Sequence, residues 1–259
     1  MTSVTAASLA EYLDRLLDVR QHADYPNALN GLQLANQEPV RRIGAAVDVS
    51  LRTIQAARTS SVNFLIVHHG MFWGGLQRVV GTSYDRLRHL FDADIAVYSV
   101  HLPLDSSPTF GNSALLAKRL GLTPMGSFAK FGEHYVGVSG EADIATGDLV
   151  NAVVAFAGEF ATTVRTTPIA LAQRTKRWAI CSGAGASSET LREAAAAGID
   201  TLVVGEGPHH TAVDAAELGL TVIYAGHYAT ETLGVQAIAE RAAAEYGVPW
   251  EFLSAPTGL

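Results

Sequence analysis

The chain has 259 residues, 48% of them hydrophobic, which suits one large domain or two small ones at about 150 residues each. Its formal net charge is −7 and its basic residues are few and scattered, which argues against a nucleic-acid surface, since such surfaces cluster Lys and Arg to displace counterions. No apolar run reaches the ~18 residues of a membrane span, the start Met1-Thr2-Ser3-Val4 lacks a signal-peptide pattern, and the single cysteine, Cys181, excludes an internal disulfide and a Cys-based zinc site; a cytoplasmic protein is expected.

Residues 6–19 carry Leu9, Tyr12, Leu13, Leu16 and Leu17 at helical spacing. A loop with Pro26 and Asn30-Gly31-Leu32-Gln33 follows, then a strand over 43–49 and a helix over 51–58. The apolar run Phe64-Leu65-Ile66-Val67 predicts a buried strand that stops at His68-His69-Gly70. A glycine-broken loop spans 71–82, then a helix over 84–91, a strand over 95–100 and a helix over 112–120. Beyond a join near 124–134, strands are expected at 136–140, 178–181, 201–204 and 222–225. Helices are expected at 147–157, 189–197, 210–218 and 232–245. Strands alternating with helices predict an α/β fold.

The pattern strand, helix, strand, helix, strand occurs twice, from Ile43 to Tyr98 and from Trp178 to Tyr224. Two related α/β lobes are therefore expected, residues 1–125 and 126–259, with a site in the cleft between them. The first repeat ends its strands in His68-His69 and in His101-Leu-Pro-Leu-Asp105; the second ends them in Gly205-Glu206 and in His227-Tyr-Ala-Thr-Glu231. Open α/β sheets bind ligands at such strand ends, and imidazole with carboxylate there points to a transition metal.

Each group has a plainer reading. Of two adjacent histidines, one can be buried in the core and the other solvated. If the strand ends before Gly70, both rings can face one cleft. Asp105 alone reads as a turn or cap before Ser106-Ser107-Pro108, but beside other histidine-rich strand ends it reads as a ligand. His227 and Glu231 sit four apart, on one face of a helix, as a surface pair or a ligand pair. Glu206, His209 and His210 form a further cluster that orients ligands, moves protons or is only an exposed turn. The turn 182–188, Ser-Gly-Ala-Gly-Ala-Ser-Ser, offers backbone donors to an anion, a weak signal.

Taken together, His68-His69-Gly70-Met71-Phe72-Trp73, His101-Leu-Pro-Leu-Asp105 with Gly111-Asn112, Gly226-His227-Tyr228-Ala229-Thr230-Glu231 and Asn30-Gly31-Leu32-Gln33 resemble one family over nearly the whole chain. It is the dinuclear-metal family of the NGG-one-interacting factor three, often labelled GTP cyclohydrolase I type 2, in its short bacterial form. The resemblance implies His68, His69, Asp105, His227 and Glu231 as ligands of two divalent ions, and a ring-shaped homohexamer. Gly70 stands where a proline is common, and the loop Gly205-Glu206-Gly207-Pro208-His209-His210 is richer in histidine than usual.

The function expected is a dinuclear metal-dependent hydrolase on a small anionic substrate, such as a nucleotide, with Glu206, His209 and His101 as proton-transfer candidates. Zinc, iron, manganese and nickel all suit N and O ligands. The alternative is a non-catalytic metal carrier or ring-shaped scaffold.

Overall fold

The computed structural model describes residues 4–259. By its internal contacts the chain divides into two units, residues 1–104 with 234–255, and residues 105–233 with 256–259. The expected division at 125/126 differs from this in two ways, both set by packing. The helix at 112–119 buries Leu116 and Ala117 with Trp178 of the second unit's core. The segment 234–255 returns to the first unit, because its last strand joins that unit's sheet.

The first unit holds a five-stranded sheet. Its strands are β1 (Gly31–Leu34), β2 (Ile43–Asp48), β3 (Phe64–His69), β4 (Ala96–Ser99) and β11 (Trp250–Phe252), in the order β1-β4-β3-β2-β11. β2, β3, β4 and β11 run parallel, and β1 closes the β4 edge antiparallel. Parallel neighbours need crossovers. These are α2 (Leu51–Thr59) and α3 (Thr82–Asp92), while α1 (Ala6–Leu16) buries Leu9 and Leu13. Covered strands read as continuous apolar runs; accordingly Leu65, Val67 and Val97 pack with Ile54, Ala57 and Leu90 in one core.

The second unit holds a six-stranded sheet. Its strands are β5 (Gly126–Phe131), β6 (His134–Ala145), β7 (Arg165–Thr166), β8 (Arg174–Cys181), β9 (Thr201–Val204) and β10 (Thr221–Tyr224), in the order β5-β6-β8-β9-β10-β7. β8, β9 and β10 are parallel; β5, β6 and β7 are antiparallel to their neighbours. Side chains alternate across the strands. Trp178, Ile180 and Val203 face Leu116 of α5 (Asn112–Arg119) and Leu149, Val153 and Phe156 of α6 (Thr146–Gly158). On the opposite face, Ala179, Leu202 and Val204 meet Leu191 of α7 (Ser188–Ala196) and Ala215 of α8 (His209–Glu217).

The repeat is legible in topology. Each unit has three parallel strands in sequence order, with an antiparallel strand beyond the third. Each also caps the first crossover helix alike. Ser50 and Thr53 form a capping box whose threonine hydroxyl also donates to the Asp48 carbonyl at 2.9 Å; Ser187 and Thr190 form the same box, with Gly185 accepting at 2.8 Å. Such boxes satisfy the orphan amides of a helix start.

Three sequence expectations change. The region near 124–134, read as a join, forms most of the β5–β6 hairpin. β3 continues through both histidines, with His69 registered against Asp48. Residues 31–34 and 250–252, too short to show a period, pair as edge strands. No helix among the described residues is long and apolar enough to cross a membrane.

Candidate metal centre

In the first unit, β3 and the chain after β4 bring together His68, His69 and His101. His68 is 0% exposed and His101 9%. Ring centroids lie 4.9 Å apart for His68–His69 and for His68–His101, and 5.6 Å apart for His69–His101. Each ring offers a nitrogen, and these nitrogens lie within 4.8 Å of one another. The two histidines of β3 stay close although they occupy neighbouring strand positions, because they sit in its last two places.

An acceptor holds Nδ1 of every one of these rings. His68 Nδ1 meets the Val100 carbonyl at 3.0 Å, His69 Nδ1 the Asp48 carboxylate at 2.9 Å, and His101 Nδ1 the Asp24 carboxylate at 2.9 Å. A carbonyl or carboxylate can only accept, so each Nδ1 carries the proton and each Nε2 is the basic nitrogen. Asp24 also accepts from Asn30 Nδ2 at 2.8 Å and from the Leu102 amide at 3.0 Å. Burial pushes the Asp24 carboxyl up, but these donors, His101 first, outweigh it and hold it below its ordinary range.

The loop after β3 is tied down by Gln33. Its Oε1 accepts from the Met71 amide at 2.8 Å, while Nε2 donates to the Ala28 and Leu29 carbonyls at 3.1 and 3.0 Å. A Cβ at residue 70 would fall on the Gln33 carboxamide, so a side chain there would require Gln33 to move. Trp73 then lays its ring 5.6 Å from His69 and 4.7 Å from His101.

The short helix α4 (Leu102–Asp105), at the boundary of the units, ends in Asp105, and in the second unit α9 (His227–Thr230) begins with His227 and is capped by Glu231. Asn112 Nδ2 donates to Asp105 Oδ1 at 2.9 Å. His227 Nδ1 donates to Glu206 Oε1 at 2.8 Å, and His227 Nε2 lies 3.1 Å from Glu231 Oε2. Glu231 is 3% exposed. Burial pulls the His227 pKa down, but Glu231 and Glu206 together overcome it and raise it to about 9. Burial, with the charges of Asp105, Glu231 and Glu193, pushes the Cys181 thiol well above its ordinary range, so this cysteine is a neutral buried thiol.

The structure brings His68, His69 and His101 together in the first unit; in the second it joins His227 to Glu206 and Glu231, and Asp105 to Asn112. Glu206 is engaged with His227 Nδ1. His209 and His210 stand exposed at the start of α8, with no described hydrogen bond to that group. The 182–188 turn is not an open anion cradle. The amides of Ser182, Gly183, Ala186 and Ser187 already donate to Ser113 Oγ, Thr230 Oγ1, the Glu206 carbonyl and Thr190 Oγ1.

Sequence reasoning missed three contributors. Asp48 carried a signal, as the polar residue that ends a buried strand. Asp24 lies in a loop with no period around it. Gly183 was read only as a turn residue, yet its missing side chain leaves room for the Glu231 carboxylate.

Comparison with known proteins gives the chain its family. Residues 4–257 match the model of the Duf34/NIF3 (NGG1p interacting factor 3) family. A Deinococcus radiodurans protein named GTP cyclohydrolase 1 type 2 homolog is 41% identical over 91% of this chain and 88% of its own. A Halobacterium salinarum protein of the same name is 41% identical over 96% of this chain and 97% of its own. The crystal structure of a Thermus thermophilus protein, 34% identical, superposes with a TM-score of 0.83 over 99% of this chain and 100% of that one. By the family match across its length and by these relatives, the chain belongs to the Duf34/NIF3 family.

Proposed function

We propose that this chain is a dinuclear metal-dependent hydrolase acting on a small anionic substrate, with a purine nucleotide such as GTP the first to test. The observation that carries the reading is the state of the imidazoles. In both units every histidine of the candidate site has its Nδ1 held by a carbonyl or carboxylate, which turns the basic Nε2 to the ligand side. Histidine held through its other nitrogen in this way is what metal sites use to fix tautomer and orientation. The curated relatives' shared name, GTP cyclohydrolase 1 type 2 homolog, supplies the substrate to try first.

His68, His69, Asp105, His227 and Glu231 would hold two divalent ions, and their N and O donors suit zinc, iron, manganese or nickel. Such ions supply Lewis acidity and lower the pKa of water from 15.7 toward ~7. The chain's own groups then divide the remaining work. Asn112 orients Asp105, and Glu206 orients His227. Asp24 holds His101 through Nδ1, which leaves its Nε2 as the proton-accepting nitrogen. Trp73 walls the imidazoles on one side and excludes water from them. His209, exposed at the start of α8, is the remaining proton-transfer candidate.

The test is metal analysis of the purified protein, followed by hydrolysis assays with GTP and then phosphoesters, each metal restored in turn. Metal-dependent turnover lost in Asp105→Asn supports the enzyme. A loaded protein that turns over neither class replaces it with a carrier or scaffold. The assembly proposed is a homohexamer; light scattering should give a mass several times the 27.3 kDa chain.

A further inference from the structure

The loop that leaves the histidine pair serves two places. Trp73 lies against His69 and His101. Met71 and Phe72, directly before it, line a cavity of about 230 Å³ together with Val79 and with Leu87 of α3. Phe72 is 37% exposed, and Leu76, Val79, Val80 and Tyr84 around it are also open to solvent.

The cavity is not purely apolar. Arg78 and Arg86 line it as well. Arg86 has one hydrogen bond, from Nη1 to the Val49 carbonyl at a long 3.4 Å, and its buried Nε has no acceptor. Its helix neighbour Arg88 pairs with Asp92 at 3.5 Å, but no carboxylate among the described residues pairs with Arg86. A guanidinium has five N–H donors in a planar fork that fits carboxylate, phosphate or sulfonate. One left largely unspent beside an apolar wall is arranged for an anion that arrives with an apolar body.

We infer that this cavity binds a small amphipathic anion: a ring or branched apolar body against Met71, Phe72, Val79 and Leu87, and an acidic group on Arg86 and Arg78. Its volume is below the ~300–1,000 Å³ of a drug-sized ligand's pocket, so it takes one ring system with one substituent. Phe72 is three residues from His69, within about 11 Å along the chain. The cavity is thus a specificity subsite for the substrate of the histidine cluster. That last step rests on the metal-hydrolase reading; the binding itself does not.

The test is calorimetry on the metal-loaded protein with naphthalene-1-sulfonate, with uncharged 1-naphthol and with sulfate. Sulfonates are weak metal ligands, so direct capture by the ions is small. Naphthalene-1-sulfonate should bind one per chain, about tenfold more tightly than 1-naphthol or sulfate, the gain expected of a charge-assisted hydrogen bond. Arg86→Gln should lower its affinity about tenfold, to that of 1-naphthol, and leave 1-naphthol and metal content unchanged. Should Arg86→Gln not fold, Phe72→Glu, at a part-exposed wall position, should weaken the sulfonate more than the naphthol. Equal affinity for sulfonate and naphthol, undiminished sulfonate binding in the variants, or no saturable binding would each overturn the inference. Metal content separates this failure from failure of the hydrolase reading: loaded protein that ignores the sulfonate refutes only the subsite.

Discussion

Gly183→Ala should remove metal binding without touching a ligand. Gly183 has φ +61°, and a Cβ there would fall on Glu231 Oε1, 3.0 Å from Glu231 Cδ and 3.4 Å from His227 Nε2. The backbone is held on both sides. The Gly183 amide donates to Thr230 Oγ1 at 3.0 Å, and its carbonyl accepts from the Glu206 amide at 2.8 Å. Relief must come from the Glu231 side chain, which is 3% exposed and has little room. The carboxylate therefore rotates away and gives up its 3.1 Å contact with His227.

Two costs follow. The left-handed backbone costs an alanine about 1–2 kcal/mol. Displacing the carboxylate should lower metal affinity by at least the ~10–100-fold seen when a ligand's support is lost. Gly219→Ala is the control. Gly219 has φ +70° but a Cβ there meets nothing within 4 Å, so it carries the backbone cost alone. Both variants should melt earlier, and only Gly183→Ala should lose metal in competition with a chelator. If the two variants bind metal equally well, Gly183 does not make room for Glu231 and the placement of that carboxylate is wrong.

Asp48→Ala, which removes the acceptor of His69 Nδ1, should lower metal affinity about 10–100-fold while leaving the unloaded protein folded; competition with a chelator measures it, and unchanged affinity would exclude the orienting role. Leu65→Ala, at a fully buried position in β3, should cost about 2–5 kcal/mol by urea denaturation, and a cost under ~1 would mean that the core closes around the hole. The metal-free protein should depend on pH through His227. Its folded pKa of about 9 lies above the 6.5 of an unperturbed histidine, so the stabilisation is complete below pH 6.5 and is lost as pH rises through about 9. At about 1.4 kcal/mol per unit the loss is at most about 3.5 kcal/mol. It should vanish in His227→Gln, and a stability profile flat from pH 6 to 9.5 would contradict the pairing with Glu231 and Glu206.

What the sequence made legible was what strands and strand ends write into composition. β2 and β3 are covered on both faces, so their apolar runs are uninterrupted and their ends stand out. The pairs His101–Asp105 and His227–Glu231 were legible because each follows such an end at helical spacing. Packing against a distant segment leaves no such trace. α5 follows β4 in the chain, yet Leu116 and Ala117 pack beside Trp178, so adjacency gave the wrong boundary. β11 is three residues after Pro249, too short for a period, and only its pairing with β2 makes it a strand. Asp24 was invisible for the same reason: its partners His101, Asn30 and Leu102 include residues more than seventy positions away.

The repeat shows how one topology presents different polar groups in the two units. After the third parallel strand both carry histidine, three residues and a carboxylate: His101 to Asp105 after β4, and His227 to Glu231 after β10. In both, a carboxylate from elsewhere in the unit holds that histidine's Nδ1, Asp24 in one and Glu206 in the other. The units diverge at the end of the middle strand. β3 ends in two imidazoles, whereas β9 is followed by Gly205-Glu206, the carboxylate that holds His227. A Cβ at Gly205 would collide with the Gly183 backbone and Thr230, so this end is packed against the turn that houses Glu231. One unit thus devotes its middle strand end to nitrogen donors, the other to support and to the packing around a buried carboxylate.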